Sequence, residues 1–84
     1  LDIIQLSEKI NITKMQAPDQ IVGKTVAAAN LRGRFGLNII AIEHDGLVID
    51  SIHPDYVFRK ADSLFLVGRK DGLLKMDQWA VSHK

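Results

Sequence analysis

The feature that most constrains this chain is an Asp45-Gly46 pair set between two apolar runs. A two-residue type I′ turn needs positive φ at both central positions, and Asp-Gly meets that need at little steric cost. The pair therefore predicts a hairpin: a strand over Asn38–Glu43, the tight turn, and a return strand over Leu47–Ile52. Just ahead of it, Arg32 and Arg34 alternate with Gly33 and Gly36. This reads as a basic, glycine-punctuated loop. Two cations on a flexible loop backed by a rigid strand form a candidate anion cradle.

The rest of the chain fits around that hairpin. Leu1–Leu6 is a short apolar stretch, either a strand or a connector. Ile10 and Ile12 alternate with polar neighbours, and with Met15 they predict a strand through residues 8–15 that Ala17-Pro18-Asp19 ends, because proline cannot donate to a ladder. Gly23–Leu31, with three consecutive alanines and apolar Val22, Val26 and Ala29, predicts a short helix packed on a sheet. After the hairpin, His53-Pro54-Asp55 turns the chain, Tyr56-Val57-Phe58 is an apolar connector, and Arg59–Asp62 is a polar turn. Ser63–Gly68 alternates apolar with apolar, the pattern of a strand buried on both faces.

A C-terminal helix is expected from Asp71-Gly72 through Ala80, with Leu73, Met76, Trp79 and Ala80 on one face and Leu74 and Val81 on another. The second face suits a subunit contact. The resulting order is strand, helix, strand, strand, strand, helix: an α+β sandwich with helices against a mostly antiparallel sheet of four or so strands.

Composition narrows the function. At 84 residues the chain makes one small domain, spanning 1–84, with a core near the lower limit for independent stability. A formal net charge of +1 argues against a general nucleic-acid binder. The absence of cysteine excludes thiolate metal sites, a cysteine nucleophile and a disulfide framework. Apolar runs of a few residues are too short to span a bilayer, and no signal peptide is expected. A chain opening on Leu1 is expected to be a piece of a longer protein.

Most titratable residues have plain readings. His44 beside Asp45 and His53 before Pro54 are turn residues, and His83 lies in a tail. Asp50, Asp55 and Asp62 are read as turn formers and solvated ends. Trp79 is a core or interface anchor. Neither a nucleophile elbow, a phosphate loop, a zinc-helix motif nor a dinucleotide fingerprint occurs, so an enzyme has no candidate constellation.

Several phrases, in order, resemble the C-terminal regulatory domain of potassium-transport gating proteins, the RCK or TrkA C-terminal family. They are Ile21-Val22-Gly23-Lys24-Thr25 opening the helix, Leu31-Arg32 closing it, Asn38-Ile39-Ile40-Ala41-Ile42 as the strand, and Ala61-Asp62-Ser63-Leu64-Phe65-Leu66-Val67-Gly68 as the late strand. Together they cover nearly the whole chain. Ala61 stands where the family usually has glycine, and a type I turn tolerates it.

The resemblance implies a cytosolic module that follows a Rossmann-type domain, dimerises, and helps an octameric ring gate a membrane potassium transporter or channel from its inner face. In the branch most like this chain it implies cyclic di-AMP bound between two copies. Arg32 would then contact phosphate, Asn38 would add polar contacts, and Val26, Ile39 and Pro54 would line the base pocket. No other cofactor is implied. Such a ligand has two phosphates related by a two-fold axis, as an isologous dimer has two arginines, and an arginine fork suits phosphate better than lysine. The alternative is a dimerisation module of the same ring that binds no small molecule.

Overall fold

The computed structural model describes residues 2–82, so His83 lies outside the described residues. Eight elements follow in order: β1 (Ile3–Gln5), β2 (Asn11–Gln16), α1 (Val26–Ala29), α2 (Leu31–Phe35), β3 (Asn38–His44), β4 (Leu47–Ile49), β5 (Ser63–Gly68) and α3 (Lys70–Ser82). The strands form one five-stranded sheet in the order β1-β2-β5-β3-β4, every neighbouring pair antiparallel. The late strand thus sits in the centre. It pairs Leu66 with Thr13 on one side and with Ile39 on the other, and a register shift between Ile39 and Ala41 bends β3 near its start.

The hairpin forms as its turn chemistry requires. Asp45 and Gly46 both have positive φ, 50° and 79°, and β3 returns directly into β4. The return strand ends at Ile49, three residues short of the expected Ile52. Within the stretch up to Leu6, Ile3–Gln5 form the short strand β1, paired with β2 and adding the edge strand that the sequence left open.

One face of the sheet carries the core. Leu64 and Leu66 of β5 and Ile42 of β3 are fully buried, in one cluster with Leu31, Leu37, Phe58, Leu73 and Met76. Phe65 and Val67 point the other way and remain half-buried. The expectation of a strand buried on both faces is therefore corrected. The helices supply core partners on one side, and among the described residues no second layer covers the other.

Helix α3 lays Leu73 and Met76 into the core, with Trp79 partly buried beside Phe35 at a ring separation of 5.5 Å. Gly72 lets it approach α2 closely, since a Cβ there would run into the Phe35 carbonyl oxygen. The Gln20 amide donates to the Trp79 and Ala80 carbonyls, at 2.9 and 3.3 Å, supplying donors to the otherwise open end of α3. Leu74 and Val81 stay exposed, as does Val57, but Phe58 of the same connector is among the largest fully buried side chains. That connector is therefore only partly an outer surface. Among the described residues no helix is long and apolar enough to cross a membrane.

Candidate functional site

The site begins with how the chain breaks its first helix. The Thr25 hydroxyl accepts from the Ala28 amide at 3.1 Å and opens α1. Asn30 then adopts the left-handed conformation, φ 50° and ψ 50°, which asparagine tolerates better than most residues. Its amide donates to the Val26 carbonyl and closes α1, while its side-chain oxygen accepts from the Gly33 amide at 3.1 Å and opens α2. A Cβ at Gly33 would meet the Asn30 side chain, which would have to shift out of its capping position. The expected helix over Gly23–Leu31 is thus reduced to Val26–Ala29, and a second short helix starts at Leu31. The expected Arg-Gly loop is also corrected: Arg32 and Arg34 lie on a one-turn helix that Gly36 terminates at φ 69°.

A second segment closes on this kink. Residues 54–58 run alongside 23–27 and meet at a bridge between Thr25 and Val57. The Val26 amide donates to the Tyr56 carbonyl at 2.9 Å, and the Ala27 amide to the Pro54 carbonyl at 3.0 Å. Gly23 and Phe58 also pair, amide to carbonyl, at 2.9 Å.

Between these pieces and the start of β3 lies a cleft of about 390 Å³. Val26, Arg32, Asn38, Ile39 and Pro54 all line it, so five of the six sequence-derived candidates meet in one place. Ala27, Asn30, Leu31, Leu37 and Ile52 complete the lining. The sequence alone does not single out these five. Asn30 carries one usable signal, an asparagine near the end of the predicted helix, where it suits a C-terminal cap. Ile52 reaches the cleft because β4 stops early.

Arg34 is the sixth candidate, and it lies elsewhere. Its guanidinium sits 4.3 Å from the Trp79 ring centroid and 5.4 Å from that of Phe35, a cation–π stack against α3. Arg32, by contrast, is exposed and has no ion pair or hydrogen-bond partner for its guanidinium among the described residues. The cleft therefore offers one uncompensated cation, one amide at Asn38 able to donate and accept, and apolar walls at Val26, Ile39, Ile52 and Pro54. Chemically this suits an anionic, flat, partly apolar ligand.

The most buried titratable group lies outside the cleft. Asp62 is 0% exposed, not a solvated turn residue as its polar neighbourhood suggests. One carboxylate oxygen accepts from the Tyr56 hydroxyl at 2.7 Å and the Arg59 amide at 2.9 Å. The other lies 2.7 Å from His44 Nδ1 and 3.7 Å from Arg59 Nε. Burial pushes the Asp62 carboxyl up, but the Arg59 amide, Tyr56, His44 and the Arg59 charge together outweigh it and hold it below the ordinary carboxylate value. Tyr56 is pushed up, by burial first and then by its bond to Asp62. His44 is thus part of a buried network rather than a simple turn residue, and Tyr56 is more than an apolar connector.

Comparison with known proteins agrees with this architecture. Residues 14–80 match the TrkA-C domain, and the chain belongs to that family. It is 29% identical over 77 residues to the Ktr system potassium uptake protein A of Bacillus subtilis (strain 168), covering 92% of this chain and 35% of that protein. The chain spans about a third of the length of this protein and of the Ktr system potassium uptake protein C of the same organism.

Among solved structures it resembles the RCK C domain of the potassium transport protein KtrA in complex with cyclic diadenosine monophosphate. The TM-score is 0.75 and the identity 25%, over 80% of this chain and 79% of that one. It also resembles the RCK_C domain dimer of S. agalactiae BusR in complex with c-di-AMP, with TM-score 0.73 and 27% identity, over 86% and 97% of the two chains. BusR bound to its busAB-promoter DNA, at 24% identity and TM-score 0.72 over 98% of this chain and 40% of that one, shares the fold alone.

Proposed function

We propose that this chain is the ligand-sensing regulatory domain of a potassium-transport protein and binds cyclic di-AMP in the cleft, between two copies of itself. The observation that carries the reading is the meeting of Arg32 and Asn38 with apolar Val26, Ile39 and Pro54 around one cleft. The relatives support it: the KtrA and BusR domains were both solved with this dinucleotide. Arg32 meets one phosphate through a charge-assisted fork. Asn38 bonds the adenine edge or ribose, and the apolar residues bury the purine. A two-fold ligand then asks for a two-fold dimer, with one such arginine from each protomer.

The same reading places the domain after a Rossmann-type domain in a longer, non-enzymatic protein. That protein forms a cytoplasmic octameric ring on the inner side of the membrane and acts on a potassium transporter or channel. The near-neutral charge of +1 weighs against general nucleic-acid binding, and the promoter complex of BusR is that protein's property.

Calorimetric titration with cyclic di-AMP and AMP tests the proposal. The cyclic dinucleotide is expected to bind at one ligand to two chains, and AMP much more weakly, because it lacks the paired phosphates. Equal affinity for both would remove the two-fold argument, and no binding of either would leave a dimerisation module.

A further inference from the structure

We propose that Asp62 is a positioning residue for the cleft: through Tyr56 it holds the segment carrying Pro54 against the start of α1. In its consequence for binding, this rests on the ligand reading above. Between the end of β4 at Ile49 and the start of β5 at Ser63 the chain has no regular element. A long irregular connection is costly to order and is ordinarily free to move. Here it forms a wall of the cleft, with Ile52 and Pro54 among the lining residues. Backbone bonds to residues 23–27 hold it at Pro54, Tyr56 and Phe58, and the Phe58 side chain is buried in the core.

A polar side-chain tie to the sheet adds to these bonds. The Tyr56 hydroxyl donates to Asp62 at 2.7 Å, and Asp62 sits at the entrance to the central strand β5, itself held by His44 of β3. Asp62 is further fixed by its own backbone, whose carbonyl accepts from the Ala17 amide at 2.8 Å and whose amide donates to the Arg59 carbonyl at 3.0 Å. The anchor is therefore rigid, and Tyr56 conveys that rigidity outward. On either side of the tyrosine side chain, the Tyr56 and Pro54 carbonyls receive the Val26 and Ala27 amides. The link runs from sheet to Asp62, to Tyr56, to the first turn of α1 and the Pro54 wall. A wall held in its binding position spares a ligand the cost of ordering it.

The test is Tyr56→Phe, which removes the hydroxyl while the ring keeps its edge contact with Phe58 at 6.0 Å. Asp62→Asn is measured beside it. In the ligand-free chain, amide exchange at Val26 and Ala27 should accelerate by about three- to tenfold, the scale of one lost hydrogen bond, while exchange at Leu66 in the sheet stays unchanged. Affinity for cyclic di-AMP should fall by a similar factor. Unchanged exchange at Val26 and Ala27 in Tyr56→Phe would overturn the proposal. So would equal acceleration at Leu66, the mark of a general stability effect. Faster local exchange with unaltered affinity would also overturn it, by uncoupling the tie from the site. If the unsubstituted chain binds no cyclic dinucleotide, the ligand reading falls, and the exchange result alone decides whether Asp62 positions the wall.

Discussion

Asp62 and Arg32 are both charged residues near the ends of regular elements, and the fold treats them in opposite ways. Asp62 is fully buried and has hydrogen-bond partners on both carboxylate oxygens. Arg32 is exposed at the rim of a cleft and has no ion pair among the described residues. A buried charge persists only when its partners offset the cost of leaving water. An exposed charge costs the fold almost nothing and remains available to something else. Asp62 therefore holds the domain together, whereas the domain presents Arg32 to its surroundings.

The two residues should differ most in stability. Asp62→Ala strips the Tyr56 hydroxyl, the Arg59 amide and His44 of their shared acceptor, and should cost about 3 kcal/mol in urea unfolding. Arg32→Ala should cost less than about 0.5 kcal/mol. Equal losses would mean that both residues are structural.

Acid sharpens the same contrast. The folded state holds Asp62 below its ordinary value, so its contribution is present above about pH 3.9, the unfolded carboxyl value, and is lost as pH falls through the lower folded value. Unfolding curves from pH 6 to pH 2 should show the unsubstituted chain losing more stability than Asp62→Asn. Parallel curves would place the acid sensitivity in other carboxylates.

The smallest effect concerns the other arginine. Arg34→Ala removes a cation stacked 4.3 Å from the Trp79 centroid, and should lower stability by about 0.5–1 kcal/mol without altering the cleft.

Much of this architecture is legible in the sequence where the signals are local. Asp45-Gly46 fixes its hairpin by backbone conformation alone, and the Leu73, Met76 and Trp79 spacing places the inward face of α3. What depends on distant partners is not legible. Asp62 follows Arg59-Lys60-Ala61 and looks solvated, but its acceptors are filled by His44 and Tyr56 from elsewhere in the chain. The Arg-Gly stretch looks like a loop because glycine disfavours helix. Asn30, capping two helices at once, makes a single helical turn there instead. The same turn separates the two arginines, sending Arg32 to the cleft and Arg34 onto Trp79, a division that residue type alone does not reveal.

The most direct test of the central claim is a titration of cyclic di-AMP into the unsubstituted chain, Arg32→Ala and Arg34→Ala under one salt condition. Arg32→Ala should weaken binding by about 1.5–3 kcal/mol, the scale of a charge-assisted hydrogen bond, while Arg34→Ala should leave it nearly unchanged. Equal losses from both variants, or full affinity in Arg32→Ala, would contradict the claim.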